Sequence, residues 1–359
     1  MSAFLRRYRA QLGWLAGLAA FFAVYFPLRT CRSAMNWLCG RVILPLEQAL
    51  GRLCGLTSVS VAEVLILSGI FAAMFYLAWQ VRCLIARPRK GQRALRMGLT
   101  VLCAGLSVYA GFCLLWGVFY GADSFQDKSG LTARGGTVEE LTALTQRFAD
   151  ELADLAPQVE RDENGCFAVP RQEIFDDAMT AYDGIVAEFD CLSKPRAMPK
   201  AFVSSRGMSY LDFSGFYFPF TGEANLNDES PAVYLPANIC HELAHQQGIA
   251  TEQECNFVAI LAATSHESPA YRYSGYLMGY VHLGNALYRA DPEAWQAIRD
   301  SLPDTVRADL RQNSVYWAQF HGLVNTAATK VYDGFLKSNG VADGVQNYGT
   351  VVDLLLAYF

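Results

Sequence analysis

The sequence predicts three N-terminal transmembrane helices followed by a mostly helical α+β domain with a small sheet, and three observations predict it. Hydrophobic residues make up 52% of the 359 positions and charged ones only 18%, which is apolar for a protein wholly in water. The apolar residues concentrate in Ala10–Leu28, Val61–Leu84 and Met97–Tyr120, each near the ~20 residues that cross a hydrocarbon core. Beyond Tyr120, helical periodicity and capping signals dominate, interrupted between Pro199 and Pro236 by short aromatic and β-branched runs. The expected organisation is a membrane anchor over residues 1–120 and a polar-surfaced domain over residues 121–359, long enough for a core of its own.

Taken in order, Arg6, Arg7 and Arg9 precede the first span with no acid. Arg82, Arg87, Arg89, Lys90, Arg93 and Arg96 fill the link between the second and third spans, again with no acid. Both segments should face the cytoplasm, which places the N-terminus there and the C-terminal domain outside a multi-pass cytoplasmic (cell) membrane. Arg29, Arg32, Arg41 and Arg52 in the intervening loop weaken that contrast without reversing it. A cleaved signal peptide competes for the first span. No clean small-x-small site follows it and two more spans do, so an uncleaved anchor is expected. Ser60-Val61-Ala62-Glu63 reads as a capping box, which accounts for an acid at the edge of the second span. The basic link also suits anionic headgroups, making the lipid bilayer a partner. A net charge of −5 and a pI near 5.6 leave no nucleic-acid footprint.

In the domain, Gly121–Gly136 is a polar linker, and Thr137-Val138-Glu139-Glu140 opens a helix that runs to about Leu155. A second helix is expected over Gln172–Phe189, and short strands over Ala201–Ser204 and Phe213–Phe218. Pro236 pre-organises the next helix. Helices are then expected over Glu252–Ser265, Pro269–Ala290, Pro292–Ser301 and Pro303–Asn313, on through Lys337, with a last one near Tyr348–Phe359. Ten cysteines show no metal-finger spacing; a Cys166–Cys191 disulfide is permitted but not implied.

The chemistry is concentrated in His241-Glu242-Leu243-Ala244-His245. Four residues make just over one helical turn, so the two imidazoles share a face and can hold one Zn2+ ion as metal ligands. Glu242 can take a proton from the attacking water, the catalytic role of a general base. A third protein ligand is required, and Thr251 stands where one peptidase class would place a third histidine. Glu252 is favoured instead, with Glu254 as the alternative. Glu252 and Asn256 share a helix face, whereas Glu254 points about 160° away from Glu252. Asn256 can then orient a ligand. Tyr271, Tyr273, Tyr276, His282 and Tyr348 are candidate oxyanion donors, while Glu223 and Asn225 either line the cleft or form a turn. His266 and His321 have no partner spacing.

Residues His241–His245, Gly248 and Glu252-x-x-Cys255-Asn256 resemble the glutamate-ligated zinc metallopeptidases, the gluzincin-like group. Cys255 stands where that pattern has alanine. The three spans, the run Gly215–Asn225, the zinc motif and the Tyr348–Tyr358 end together resemble an uncharacterised bacterial membrane family. The resemblance implies a zincin-like fold and a membrane-anchored zinc metallopeptidase acting on a peptide or protein substrate outside the cytoplasmic membrane. The alternative is a zinc-binding membrane sensor or scaffold without proteolytic activity, against which an intact Glu242 argues. Intramembrane proteolysis would require the motif helix inside the bilayer, where the polar flanks Asn225–Ser230 and Gln246-Gln247 do not belong.

Overall fold

The computed structural model describes residues 3–338 and 349–359. Among these, three helices are long and apolar enough to cross a membrane: Arg9–Leu28, Val61–Ala86 and Lys90–Gly117. Their large side chains point outward, Phe71 and Met74 among them, as lipid-facing surfaces require. The first and third lie side by side, with Trp14 Nε1 donating to Ser107 Oγ at 2.8 Å and Phe22 packed on Tyr109. The third span starts at Lys90, earlier than Met97, because its basic residues can extend their charged ends past the apolar boundary. It also stops sooner than Tyr120. A π-helical turn, Cys113–Gly117, leads into a short 3₁₀ turn at Phe119–Gly121.

The loop between the first two spans is ordered into helices Arg32–Leu38 and Leu44–Cys54. Ser60 accepts from the Glu63 amide as the capping box requires, but the Glu63 carboxylate reaches elsewhere. It accepts from Val203 N at 2.9 Å and Ser204 N at 2.7 Å.

In the C-terminal part, helix Val138–Leu155 is closed by the Thr137–Glu140 box. It packs against helix Pro269–Ala290 at Gly279, where a side chain would run into the Phe148 ring. The helix expected over Gln172–Phe189 is corrected. It ends at Asp176, continues as a 3₁₀ turn over Asp177–Thr180, and becomes turns. Tertiary contacts override propensity here: Tyr182 turns inward to donate to the Cys240 carbonyl at 2.8 Å, and Gly184 presses on Ser265.

Three strands form one sheet in the order β1-β3-β2: β1 is Lys200–Phe202, β2 Gly215–Phe218 and β3 Glu223–Asn227. β1 runs parallel to β3 and β2 antiparallel, with Gly215 opposite Leu226 and Phe218 opposite Glu223. β1 is shorter than Ala201–Ser204 because a helix begins at Ser205. β2 starts after Asp212, whose left-handed backbone (φ 66°) interrupts the chain. The central strand is a further correction, since Glu223 and Asn225 lie on it, fully buried, rather than in a loop.

The motif helix, Leu235–Gln246, carries Pro236 in its first turn and stops at Gly248, whose φ of +82° only glycine adopts easily. Helices Glu252–Thr264, Pro269–Ala290, Pro292–Ser301, Asp304–Ala318, Leu323–Ser338 and Gly349–Tyr358 follow, close to the expected bounds. All ten cysteines are free, Cys166 and Cys191 included.

Candidate metal centre

The turn at Gly248 reverses the chain so that helix Glu252–Thr264 opens beside the end of the motif helix. The His241 and His245 rings stack on one face, 4.9 Å between centroids and nearly perpendicular. Glu252 completes a triangle with them. Its Oε2 lies 3.1 Å from His241 Nε2 and its Oε1 3.7 Å from His245 Nε2. The three residues offer ligand atoms all within 4.8 Å of one another, a group that could hold a metal ion.

The surroundings orient both rings. His241 Nδ1 sits 2.9 Å from Asn256 Oδ1, and His245 Nδ1 2.8 Å from the Ile249 carbonyl. Each Nδ1–H therefore donates outward and leaves its Nε2 lone pair facing the centre, as ligating imidazoles require. The buried Cys255 thiol donates to the same Ile249 carbonyl at 3.3 Å and lies 3.2 Å from His245 Nδ1. Glu254 points away. Its carboxylate accepts from the Phe125 and Gln126 amides at 3.1 and 3.0 Å, closing the N-terminus of helix Phe125–Ser129.

Glu242 is buried beside this triangle. Burial pushes its carboxyl up to about 8, and Oε2 has no hydrogen-bond partner among the described residues. Burial, helped by the charge of His241 and opposed by that of Glu252, takes His245 down to about 4. It pulls His241 down as well, but the hydrogen bond and charge of Glu252 more than offset it, so that ring goes up. Two imidazole nitrogens and one carboxylate form a donor set that could hold a metal ion, with the orphaned Glu242 oxygen beside it.

The walls come from elements remote in sequence. Trp116, in the last turn of the third span, meets His245 edge-on at 5.4 Å and Tyr217 of β2 at 5.3 Å. Phe119 packs on Gly248. Burial and the charge of Glu252 raise the Tyr120 hydroxyl above the usual tyrosine range. Gly215 of β2 abuts Glu242, so that a Cβ there would lie 2.5 Å from Oε1. Tyr217 reaches the interspan helix and donates to Glu47 Oε2 at 3.1 Å. A cleft of about 290 Å³ lies beyond Gly215, lined by Ser214, Asp212, Tyr234, Asn238 and Trp317 among others, and by none of the three candidate ligands.

Sequence reasoning missed Trp116, Tyr120, Gly215 and Glu47. The aromatic run ending the third span was a usable signal, since Trp and Tyr also mark membrane interfaces. Of the expected oxyanion donors, Tyr271 donates to the Ile174 carbonyl and Tyr273 to Asp309, while Tyr276 packs on Phe148. All three are committed to the core. Burial and the charge of His241 lower His282 to about 4. Tyr348 lies outside the described residues. His266 stacks on Tyr271 and lies within hydrogen-bonding distance of Thr180, away from the metal-binding group.

Fold and site define a mostly helical protein with three candidate membrane helices and a two-histidine, one-glutamate group able to hold a metal. The chain belongs to the family described as "Protein of unknown function (DUF3810)", which it matches over residues 41–356. No match was found among curated proteins or solved structures.

Proposed function

We propose that this protein is a membrane-anchored zinc metallopeptidase with a zincin-like, glutamate-ligated centre. The observation that carries this reading is the convergence of His241, His245 and Glu252 beside a buried Glu242 and the edge strand β2. His241, His245 and Glu252 would hold the zinc, which when bound would polarise the scissile carbonyl and acidify water. Glu242 takes the proton from the attacking water and returns it to the leaving amine as the amide C–N bond breaks. Asn256 and the Ile249 carbonyl keep both imidazoles aimed, and β2 has an outer edge, unpaired among the described residues, for an extended peptide. The basic residues before the first span and between the second and third support a position of this domain on the extracytoplasmic side of the cytoplasmic membrane.

The test is elemental analysis of the full chain in detergent, wild type beside His245→Ala. About one zinc per chain is expected, with at least a tenfold loss in the variant. Glu242→Gln should keep its zinc and lose turnover by roughly 10²–10⁴-fold. Comparison of membrane-protein termini in cells carrying either form reads that loss. A folded wild type without zinc overturns the proposal, and a Glu242→Gln strain with unchanged termini leaves a zinc-binding scaffold in its place.

A further inference from the structure

The His241–His245–Glu252 group sits at the C-terminal end of the third candidate span. Trp116 belongs to the last turn of the third span, yet its ring lies against His245. The β2–β3 hairpin reaches deeper still. Phe220 at its tip packs on Gly111, where a Cβ would lie 2.9 Å from the ring. Gly111 is six residues before the end of that span, about 9 Å at the helical rise. Polar contacts fasten the same end of the sheet to the second span. The Glu223 carboxylate accepts from Val61 N and Ala62 N at 3.1 and 2.8 Å, and Ser60 Oγ donates to Asn225 Oδ1 at 2.6 Å. Lys200 pairs with Glu223 and donates to the Cys54 and Val59 carbonyls.

β2 therefore has a direction relative to the bilayer. Phe218 stands at the membrane end and Gly215, against Glu242, at the far end. Three strand steps separate them, about 10 Å. The outer edge of β2 pairs with no other strand among the described residues. Beyond Gly215 the line continues to Ser214, which with Asn238 and Trp317 lines the polar cleft. A peptide extended along this edge has one end at the lipid surface and the other in the cleft.

From this placement we infer that the substrate is the juxtamembrane segment of a membrane-anchored polypeptide, bound as a strand on β2 and hydrolysed within a few residues of its anchor. The inference rests on the peptidase reading above and adds the substrate class. Soluble polypeptides meet the same edge only at the cost of bringing a free chain to the lipid surface. An anchored one arrives with its flanking residues already at the right height, which raises its effective concentration.

The experiment uses the full chain, loaded with cobalt(II) in place of zinc, in phosphatidylcholine–phosphatidylglycerol vesicles. A peptide hydroxamate is presented in three forms: soluble, on a phospholipid through a spacer of about 13 Å, and on one of about 40 Å. Ligation is read from the visible absorption of the cobalt, which needs no substrate and no turnover. The short-spacer lipid should bind at a membrane mole fraction at least roughly tenfold below that of the long-spacer lipid, because the shorter tether confines the ligand near the site. Binding of the soluble and long-spacer forms without the short one overturns the inference and leaves the peptidase reading standing. A spectrum that none of the three changes overturns the peptidase reading, and the substrate class with it.

Discussion

At Gly215, the hydrogen that stands in for a side chain lets the Glu242 carboxylate lie flat against β2. Gly215→Ala would press a methyl group into Oε1 and move the carboxylate by a fraction of an ångström or more. Misplacement of about 1 Å costs roughly 10²-fold in rate. Under the peptidase proposal the variant should keep its metal, since His241, His245 and Glu252 are untouched, and lose turnover to that extent. Elemental analysis beside the cell-based termini comparison separates the two. Glu47 makes a second prediction at this scale. It is fully buried, and burial raises its carboxyl to about 9 against the hydrogen bond from Tyr217. The folded pKa lies above the unfolded one, so the folded state binds the extra proton. That stability is complete below the ordinary glutamate pKa and is lost as pH rises toward 9. In Glu47→Gln the amide stays neutral and can still accept from Tyr217. Its melting temperature should fall less than that of wild type between pH 5 and pH 9, a difference worth at least about 1 kcal/mol. Parallel slopes in a thermal scan would show that Glu47 is ionised in the fold.

Among the elements, β3 shows what a sequence hides. Glu-Ala-Asn-Leu-Asn reads as a turn, yet it is the buried centre of the sheet, because every polar side chain has a remote partner. Glu223 meets Lys200 and the start of the second span, Asn225 meets Ser60, and Asn227 bonds Ser209 and the Phe213 carbonyl. The spans, the Thr137 box and the motif helix were legible because their signals lie within a few consecutive residues. The same holds for His241, Glu242 and His245, whereas helical phase showed only that Glu252 and Glu254 could not both reach a shared metal, and the choice between them took the fold. Trp116 and Gly215 were not legible, for only tertiary packing brings them to the site. Tyr182, which donates to the Cys240 carbonyl, breaks the helix expected around it for the same reason. The Lys200–Glu223 pair is nearly solvent-free, so removing one partner strands the other charge. Lys200→Met should destabilise the full chain in detergent by roughly 3–5 kcal/mol. A melting temperature within a degree of wild type would mean that the span amides alone compensate Glu223.

For the whole molecule, the change of composition at residues 120/121 is also the line along which the two parts hold each other. Trp116 and Phe119 wall the His241–His245–Glu252 group from the side of the spans, and Glu63 receives the Val203 and Ser204 amides from the domain side. Glu47 and Gly51 are buried although they belong to the loop between spans. Cutting the chain at Gly121 would expose the inner faces of β2 and β3, leave Lys200 without its two carbonyl partners, and open His245 to water. Residues 121–359 alone should therefore melt well below the full chain, by several kcal/mol of lost contacts. Their metal affinity should fall at least tenfold, because a ligand whose supporting shell is removed loses about that much. Unfolding scans and metal titration on the two forms, each in the same detergent, measure both effects. Equal affinities and melting temperatures would mean that the spans merely tether an autonomous enzyme. Losses in both would mean that the membrane part completes the site.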